Sequence, residues 1–107
     1  MTTDEVIILI TASSGDEAVK IATALVNERL AACVNIVPEV RSLFFWEGKA
    51  QDAREALLIC KSRQPLLEEL ISFVKSLHSY AVPEVIALPI IAGSREYLDW
   101  IRESTKR

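Results

Sequence analysis

The side chains that could do chemistry in this sequence are few, and they are spread along the chain. His78 is the only histidine, and Cys33 and Cys60 are the only cysteines. Imidazole, a thiolate and a carboxylate together suit copper or zinc, so His78 with a cysteine and Glu84 forms one candidate metal site. The alternative is that His78 forms a hydrogen bond at a helix end and that the cysteines pack in the core. Cys60 alternates with apolar residues and fits a core position, whereas the pattern does not decide whether Cys33 is exposed.

A second set of polar side chains flanks an apolar stripe on a predicted strand. Glu55 and Lys61 share one face of that strand, but their spacing separates them by about 20 Å, so they cannot pair with each other. One interpretation is that each forms an ion pair across an interface or lies at a solvated strand end. The other is that they line a polar pocket between subunits together with Trp46 and Tyr80.

Known catalytic motifs are absent from the sequence. It contains no Ser-His-Asp order, Walker loop, H-E-x-x-H or G-x-G-x-x-G. Gly15 could open an anion site at a helix start, but Ser14 followed by Gly15 is also ordinary capping chemistry. A phosphatase loop would need an arginine to hold phosphate, and residues 11–15 contain none. We therefore expect no enzymatic activity.

Length and composition limit the class of protein further. The 107 residues suit a single domain, residues 1–107. A net charge of -3 disfavours nucleic acid as a partner, because phosphate backbones attract basic proteins. The apolar run at 6–10 is too short for a signal core or a membrane span. These features predict a soluble, cytoplasmic protein with reduced thiols and no membrane partner.

Four apolar runs predict the strands, at residues 6–10, 33–46, 53–62 and 85–91. The second run is about twice the usual strand length, so it should project beyond the sheet. Pro38 within it should mark a bulge or an unpaired edge position. The turn at 47–49 then joins the second and third strands in an antiparallel hairpin.

Helical periodicity predicts three helices. A capping box at residues 14–17 precedes the first helix. Ser62 should cap the second helix, which has Pro65 in its first turn and ends near His78. Ser94 should cap a short third helix. Three apolar side chains of that helix are expected to face inward: Tyr97, Leu98 and Ile101.

The order of elements predicts an α+β fold, a ferredoxin-like βαββαβ sandwich with a long β2–β3 hairpin and an extra C-terminal helix. The first and last strands are apolar on both faces, so the third helix or another subunit must cover the face away from the two main helices. Phe44, Phe45 and Trp46 near the hairpin tip also need a cover. We therefore expect a homo-oligomer whose hairpins add to neighbouring sheets.

Several motifs follow one another in a fixed order. They are A-C-V-N-I-V-P at 32–38, S-L-F-F-W-E-G-K at 42–49, Glu55, Lys61, H-S-Y-A-V-P-E at 78–84 and Y-L-x-W-I at 97–101. Together they resemble the CutA family of divalent-cation tolerance proteins, from the first strand to the last helix. The resemblance implies a ferredoxin-like protomer in a homotrimer, a role in the response to metal ions, and copper binding.

The resemblance also implies a set of copper ligands: a first-strand cysteine, a histidine at the end of the second helix and the glutamate of the P-E motif. His78 and Glu84 match this set. Ile10 stands where some members have the cysteine, and Leu77 stands where some have a second histidine. Ser79 replaces the proline that usually follows the histidine. We therefore expect His78, Glu84 and Cys33 to bind copper or another divalent cation. The fold itself should require no cofactor.

Two classes of function follow. In the first, the trimer binds divalent cations and buffers or senses them. In the second, it is a signalling or scaffolding trimer similar to the PII regulators, and it binds a small ligand or a protein at clefts between subunits near Trp46, Lys61 and Tyr80.

Overall fold

One antiparallel sheet of four strands forms the centre of the protein. The computed structural model describes residues 4–106, so both ends of the predicted domain lie outside the described residues. The strands are β1 (Glu5–Ala12), β2 (Cys33–Trp46), β3 (Lys49–Arg63) and β4 (Val85–Pro89). Their order across the sheet is β2-β3-β1-β4, and each neighbouring pair is antiparallel. This order confirms the ferredoxin-like α+β fold.

The helices are α1 (Gly15–Asn27), α2 (Leu67–Leu77) and α3 (Arg95–Ser104). The predicted caps of α1 and α3 are confirmed, because Ser14 Oγ accepts the Glu17 amide at 3.1 Å and Ser94 Oγ accepts the Tyr97 amide at 3.4 Å. In α3, Ile101 is fully buried as predicted. Tyr97 is 44% exposed, so it is only partly covered, and its side chain reaches Cys33 at the start of β2.

The predicted cap of α2 was also wrong. β3 continues to Arg63, and a 3-10 turn at Gln64–Leu66 precedes the helix, with Pro65 inside that turn. Ser62 is a fully buried strand residue whose hydroxyl donates to the Leu30 carbonyl at 2.6 Å. The local sequence does not distinguish a serine that caps a helix from a buried serine that donates to a distant carbonyl. The prediction of a cap at Ser62 failed for this reason.

Alternate side chains of β1 and β3 pack against α1 and α2 and form the core. Among the largest buried ones are Ile8, Ile10, Leu58 and, from the helices, Ile21, Leu25 and Leu70. Cys60 belongs to this core, as predicted, and burial raises the pKa of its thiol to about 12. Cys33 is half-buried, and both cysteines are free thiols.

The opposite face of the sheet is apolar and only partly covered in the single chain; we call it the open face. Its side chains alternate along the strands with those of the core and point the other way. They are Ile7, Leu9, Leu57, Ile59, Ile86 and Leu88. α3 covers only one end, where Arg63 donates to Thr105 Oγ1 at 2.9 Å and Arg29 donates to the Glu103 carbonyl at 2.9 Å. Because α3 stops there, Ile86 and Leu88 stay exposed.

The β2–β3 hairpin is longer than predicted, since β3 begins at Lys49 and pairs with β2 up to the turn. A register shift between Val37 and Val40 places Pro38 in a β-bulge, which confirms its predicted role. Glu47 and Gly48 form the two-residue turn, with φ angles of 51° and 81°. β4 is shorter than predicted and ends at Pro89, which has no N–H to donate to the sheet.

The buried serine gives a direct test of the packing. Ser62→Ala should lower the free energy of unfolding by about 1 kcal/mol, because the Leu30 carbonyl loses its hydroxyl donor inside the core. The measurement is urea denaturation at one fixed protein concentration. Ser72→Ala, at an exposed position of α2, is the matched control and should leave the midpoint nearly unchanged. Equal effects of the two substitutions would contradict the assigned hydrogen bond.

Candidate functional site

His78 fixes the start of the segment between α2 and β4. Its side chain is fully buried at the C-cap of α2. Ring Nδ1 accepts the backbone N–H of Tyr80 at 3.0 Å, and Nε2 lies 2.7 Å from the Thr11 carbonyl oxygen. An N–H can only donate, so Nδ1 must be unprotonated and Nε2 must carry the proton. His78 is therefore a neutral ring that joins the end of β1 to the segment at 78–84.

This arrangement bears on the predicted metal site. A metal ligand must offer a lone pair, and in this tautomer only Nδ1 has one. Because that lone pair accepts the Tyr80 amide, ligation by His78 requires the ring to release this hydrogen bond. In the single chain His78 is a structural anchor of the helix end, which was the alternative considered from the sequence.

Cys33, the second predicted ligand, lies far from His78. Cys33 pairs with Lys61, which in turn pairs with Ile7, whereas His78 contacts Thr11 at the other end of β1. The separation is about 13 Å along the strands and two strands across. Glu84 is exposed on the loop before β4. Within residues 4–106, no three His, Cys, Asp or Glu side chains come close enough to hold a metal ion.

Glu17 fastens the same segment to the start of α1. Its Oε1 accepts the amide and the hydroxyl of Ser13, both at 2.9 Å, and its Oε2 accepts the Ser79 amide at 2.8 Å. Burial alone would raise the pKa of Glu17, but the hydrogen bonds from Ser13 and Ser79 outweigh burial and lower the pKa to about 2. The sequence indicated Glu17 only as part of a capping box, because its bond to Ser79 depends on the tertiary structure.

Tyr80 continues the chain of contacts toward the sheet. Its hydroxyl donates to Glu55 Oε2 at 2.8 Å, and Glu55 is only 7% exposed. Burial, the hydrogen bond to Glu55 and the charge of Glu55 raise the pKa of Tyr80 to about 12. Tyr80 therefore stays protonated at neutral pH and acts as a fixed donor to the Glu55 carboxylate.

An open cleft of about 1020 Å³ lies between the outer half of the β2–β3 hairpin and the segment at 80–84; we call it the hairpin cleft. Its walls carry aromatic side chains and carboxylates, namely Phe44, Phe45, Trp46, Tyr80, Glu47, Glu55 and Glu84. Arg41 also lines the cleft, but it holds Asp52 with bonds of 3.0 and 2.7 Å. The charge that faces the cleft is therefore mainly negative.

The hairpin cleft gathers three of the four residues predicted to line a pocket: Trp46, Glu55 and Tyr80. The fourth, Lys61, lies at the other end of β3, where its ammonium contacts Asn35 Oδ1 and is 3.9 Å from Cys33 Sγ. Glu84, predicted as a metal ligand, also lines the cleft. Phe44 and Glu47 were not predicted as site residues, because a hairpin strand gives no signal of which loop packs beside it.

The sheet order and the long hairpin define the class as an α+β protein of ferredoxin-like fold. The sequence profile of the CutA1 divalent ion tolerance protein family matches residues 6–104, and the chain belongs to this family. The resemblance drawn from the motifs is thereby confirmed.

Individual relatives agree with the family. The divalent-cation tolerance protein CutA of Thermus thermophilus is 52% identical, covering 94% of this chain and 98% of its own, and its solved structure has a TM-score of 0.93 at 51% identity. The chloroplastic protein CutA of Arabidopsis thaliana is 49% identical over 98% of this chain, which spans 58% of the plant protein. The structure of the periplasmic divalent cation tolerance protein CutA from Archaeoglobus fulgidus is 44% identical with a TM-score of 0.92, covering 95% of this chain and 99% of its own.

Of the helices within residues 4–106, none combines the length and the apolar character needed to cross a bilayer.

The bonds of Glu17 predict a pH-dependent contribution to stability. Glu17→Gln should lower the free energy of unfolding by about 1 kcal/mol at neutral pH, because the amide cannot replace both carboxylate acceptors. The folded-state pKa is depressed, so the contribution is complete above the unfolded value of 4.5 and is lost as the pH falls toward about 2. Urea denaturation between pH 7 and pH 2 measures the difference between the two proteins.

The control for this prediction is Glu28→Gln, because the exposed Glu28 side chain at the end of α1 makes no bond within the described residues. Its free energy of unfolding should stay close to that of the unsubstituted protein at every pH from 7 to 2. A Glu17→Gln difference that stays constant down to pH 2 would mean that the hydrogen bonds do not hold the ionised carboxylate.

Proposed function

We propose that the protein is a homotrimeric divalent-cation tolerance protein that binds divalent cations through the carboxylates of the hairpin cleft. Family membership and the name of the Thermus relative support the tolerance role. We place the protein in the cytoplasm, where its two free thiols would stay reduced. The relatives named above come from other compartments as well, so location is not a property of the family as a whole.

The exposed apolar surface of the single chain supports the trimer. Ile86 and Leu88 on the open face and Leu43 and Phe45 on the hairpin are all exposed. A contiguous apolar face of this kind is typical of an interface. Copies that cover the open face and the hairpin would bury these side chains without any change in the fold.

One observation supports cation binding above the others. Glu84 is exposed, lines the hairpin cleft, and makes no hydrogen bond or ion pair with any residue from 4 to 106. Glu47 and Glu55 line the same cleft, so a cation there would meet several carboxylates. Carboxylate oxygen suits many divalent cations, whereas a preference for copper requires nitrogen or sulfur ligands. A site that uses His78 as well would need the ring to release the Tyr80 amide, and a site that uses Cys33 would need the cysteine of another copy.

Tyr80 is poorly suited to general acid–base chemistry at neutral pH. A general acid or base works best with a pKa near the operating pH. Tyr80, whose pKa is about 12, keeps its proton at neutral pH and points it at Glu55.

Calorimetric titration of the reduced, metal-free trimer with copper, zinc and cobalt tests the proposal. Glu84→Gln should weaken binding of at least one of these ions tenfold or more, because an incomplete ligand set holds a cation poorly. Glu28→Gln is the control and should bind like the unsubstituted protein. Equal binding by the unsubstituted protein and Glu84→Gln for all three ions would overturn the proposal.

The same titration separates the two roles of His78. His78→Ala should lower the stability in either case, because the Tyr80 amide and the Thr11 carbonyl lose their partner together. If His78 is also a ligand, the variant should in addition lose affinity tenfold or more; a less stable variant that binds the ions like the unsubstituted protein would show an anchor only.

A second function is supported by the size and the walls of the hairpin cleft. Its volume of about 1020 Å³ and its four aromatic side chains are suited to a small organic molecule as well as to an ion. In this function the trimer is a signalling or scaffolding protein similar to the PII regulators, and any response to metals is indirect.

A further inference from the structure

We propose that the buried Glu55 carboxylate pairs with Lys61 of the partner subunit, so that each copy supplies the counter-charge for the next copy around the trimer. The inference rests on the trimer proposed above, and it names a contact between the copies that the assembly would contain. It does not use Glu84, the carboxylate on which the proposed binding of cations depends.

Glu55 carries a charge that its own chain does not neutralise. Its side chain is 7% exposed, and Oε2 accepts the Tyr80 hydroxyl at 2.8 Å. Within residues 4–106, no Lys, Arg or His group forms an ion pair with it. The outer hairpin beside it exposes apolar side chains of the kind that assembly covers. A carboxylate that loses its remaining water in this way is costly unless a cation of the covering copy meets it.

Lys61 is the matching charge on the same face of β3. Its ammonium contacts Asn35 Oδ1 and lies 3.9 Å from Cys33 Sγ, but no carboxylate among residues 4–106 forms an ion pair with it. Strand alternation places Lys61 on the open face with Leu57 and Ile59. A copy that covers this face would remove water from the ammonium, which therefore needs a negatively charged acceptor.

The two charges cannot meet within one chain. Glu55 and Lys61 are six positions apart on one strand, a distance of about 20 Å. In a closed ring of copies that contact head to tail, every interface joins two different surfaces of the chain. The Glu55 region of one copy can then lie against the Lys61 region of the next copy. A trimer would form three such pairs and leave none of these charges without a partner.

The other cations of β2 and β3 are less suited to this contact. Arg41 and Arg54 already pair with carboxylates of their own hairpin. Arg63 donates to two groups beside the end of α3. Lys49 is as far from Glu55 as Lys61 is, but it lies exposed beside the hairpin turn, whereas Lys61 is already half-buried. Lys49 is therefore the competing candidate that an experiment has to separate.

A double-mutant cycle tests the pair, with urea unfolding of the metal-free protein measured at one protein concentration. Glu55→Gln keeps an acceptor for the Tyr80 hydroxyl without the charge, and Lys61→Met keeps an unbranched side chain without the charge. Each single variant should unfold at a lower urea concentration, because it leaves one covered charge without its partner. The double variant should unfold at a higher urea concentration than either single variant, because neither charge remains.

The matched control is the cycle of Glu55→Gln with Lys49→Met, which has the same spacing of six positions along β3. Its effects should be additive, because sites more than about 10 Å apart that share no partner act independently. The same rule makes the Lys61 cycle informative. Since Glu55 and Lys61 are about 20 Å apart within one chain, non-additive effects require a contact between copies.

Additive effects of Glu55→Gln and Lys61→Met would overturn the inference, and so would equal non-additivity in the Lys49 cycle. Light scattering of the unsubstituted protein measures its mass and reports on the trimer separately. A trimer with an additive Lys61 cycle would reject the pair and keep the proposed assembly, whereas a monomer would reject both. The metal titration of Glu84→Gln reports on cation binding independently of these results.

Discussion

The buried imidazole of His78 is the contact on which the candidate site depends. It joins the carbonyl at the end of β1 to the amide of Tyr80, and it does so with both ring nitrogens. Glu17 adds a second tie, from the start of α1 to the amide of Ser79. These bonds set the direction in which Tyr80 leaves α2. Tyr80 in turn reaches Glu55 on β3, and the hairpin cleft has its shape because these three elements meet.

The two faces of the sheet have different roles, although both are apolar. One face packs against α1 and α2 and supplies the stability of the single chain. The other face and the outer hairpin expose apolar side chains. An exposed apolar surface of this kind is typical of an interface. The hairpin that contributes the aromatic wall of the cleft therefore belongs to the part of the surface that assembly would cover.

Much of the fold could be predicted from the sequence, because it depends on local patterns. Pro38 was expected to mark a bulge since it cannot donate a hydrogen bond, and the capping serines Ser14 and Ser94 lie beside clear helical patterns. Ser62 was misread because its partner, the Leu30 carbonyl, lies 32 positions away in sequence. The same limit applied to the site: the bonds of His78 and Glu17 join positions 67 and 62 apart, and no local pattern encodes them. The sequence allowed one pocket to be predicted from Trp46, Glu55 and Tyr80. It could not show that Lys61 lies outside this pocket, because that depends on the topology of the sheet.

The most direct test of this account is the nitrogen NMR spectrum of His78, which is unambiguous because the chain has one histidine. The account predicts a neutral ring with the proton on Nε2 at neutral pH, and nitrogen chemical shifts that stay unchanged when zinc is added, since Nδ1 is held by the Tyr80 amide. A proton on Nδ1, or a large shift of Nδ1 with one equivalent of zinc, would contradict it and would make His78 a metal ligand rather than the anchor of the cleft.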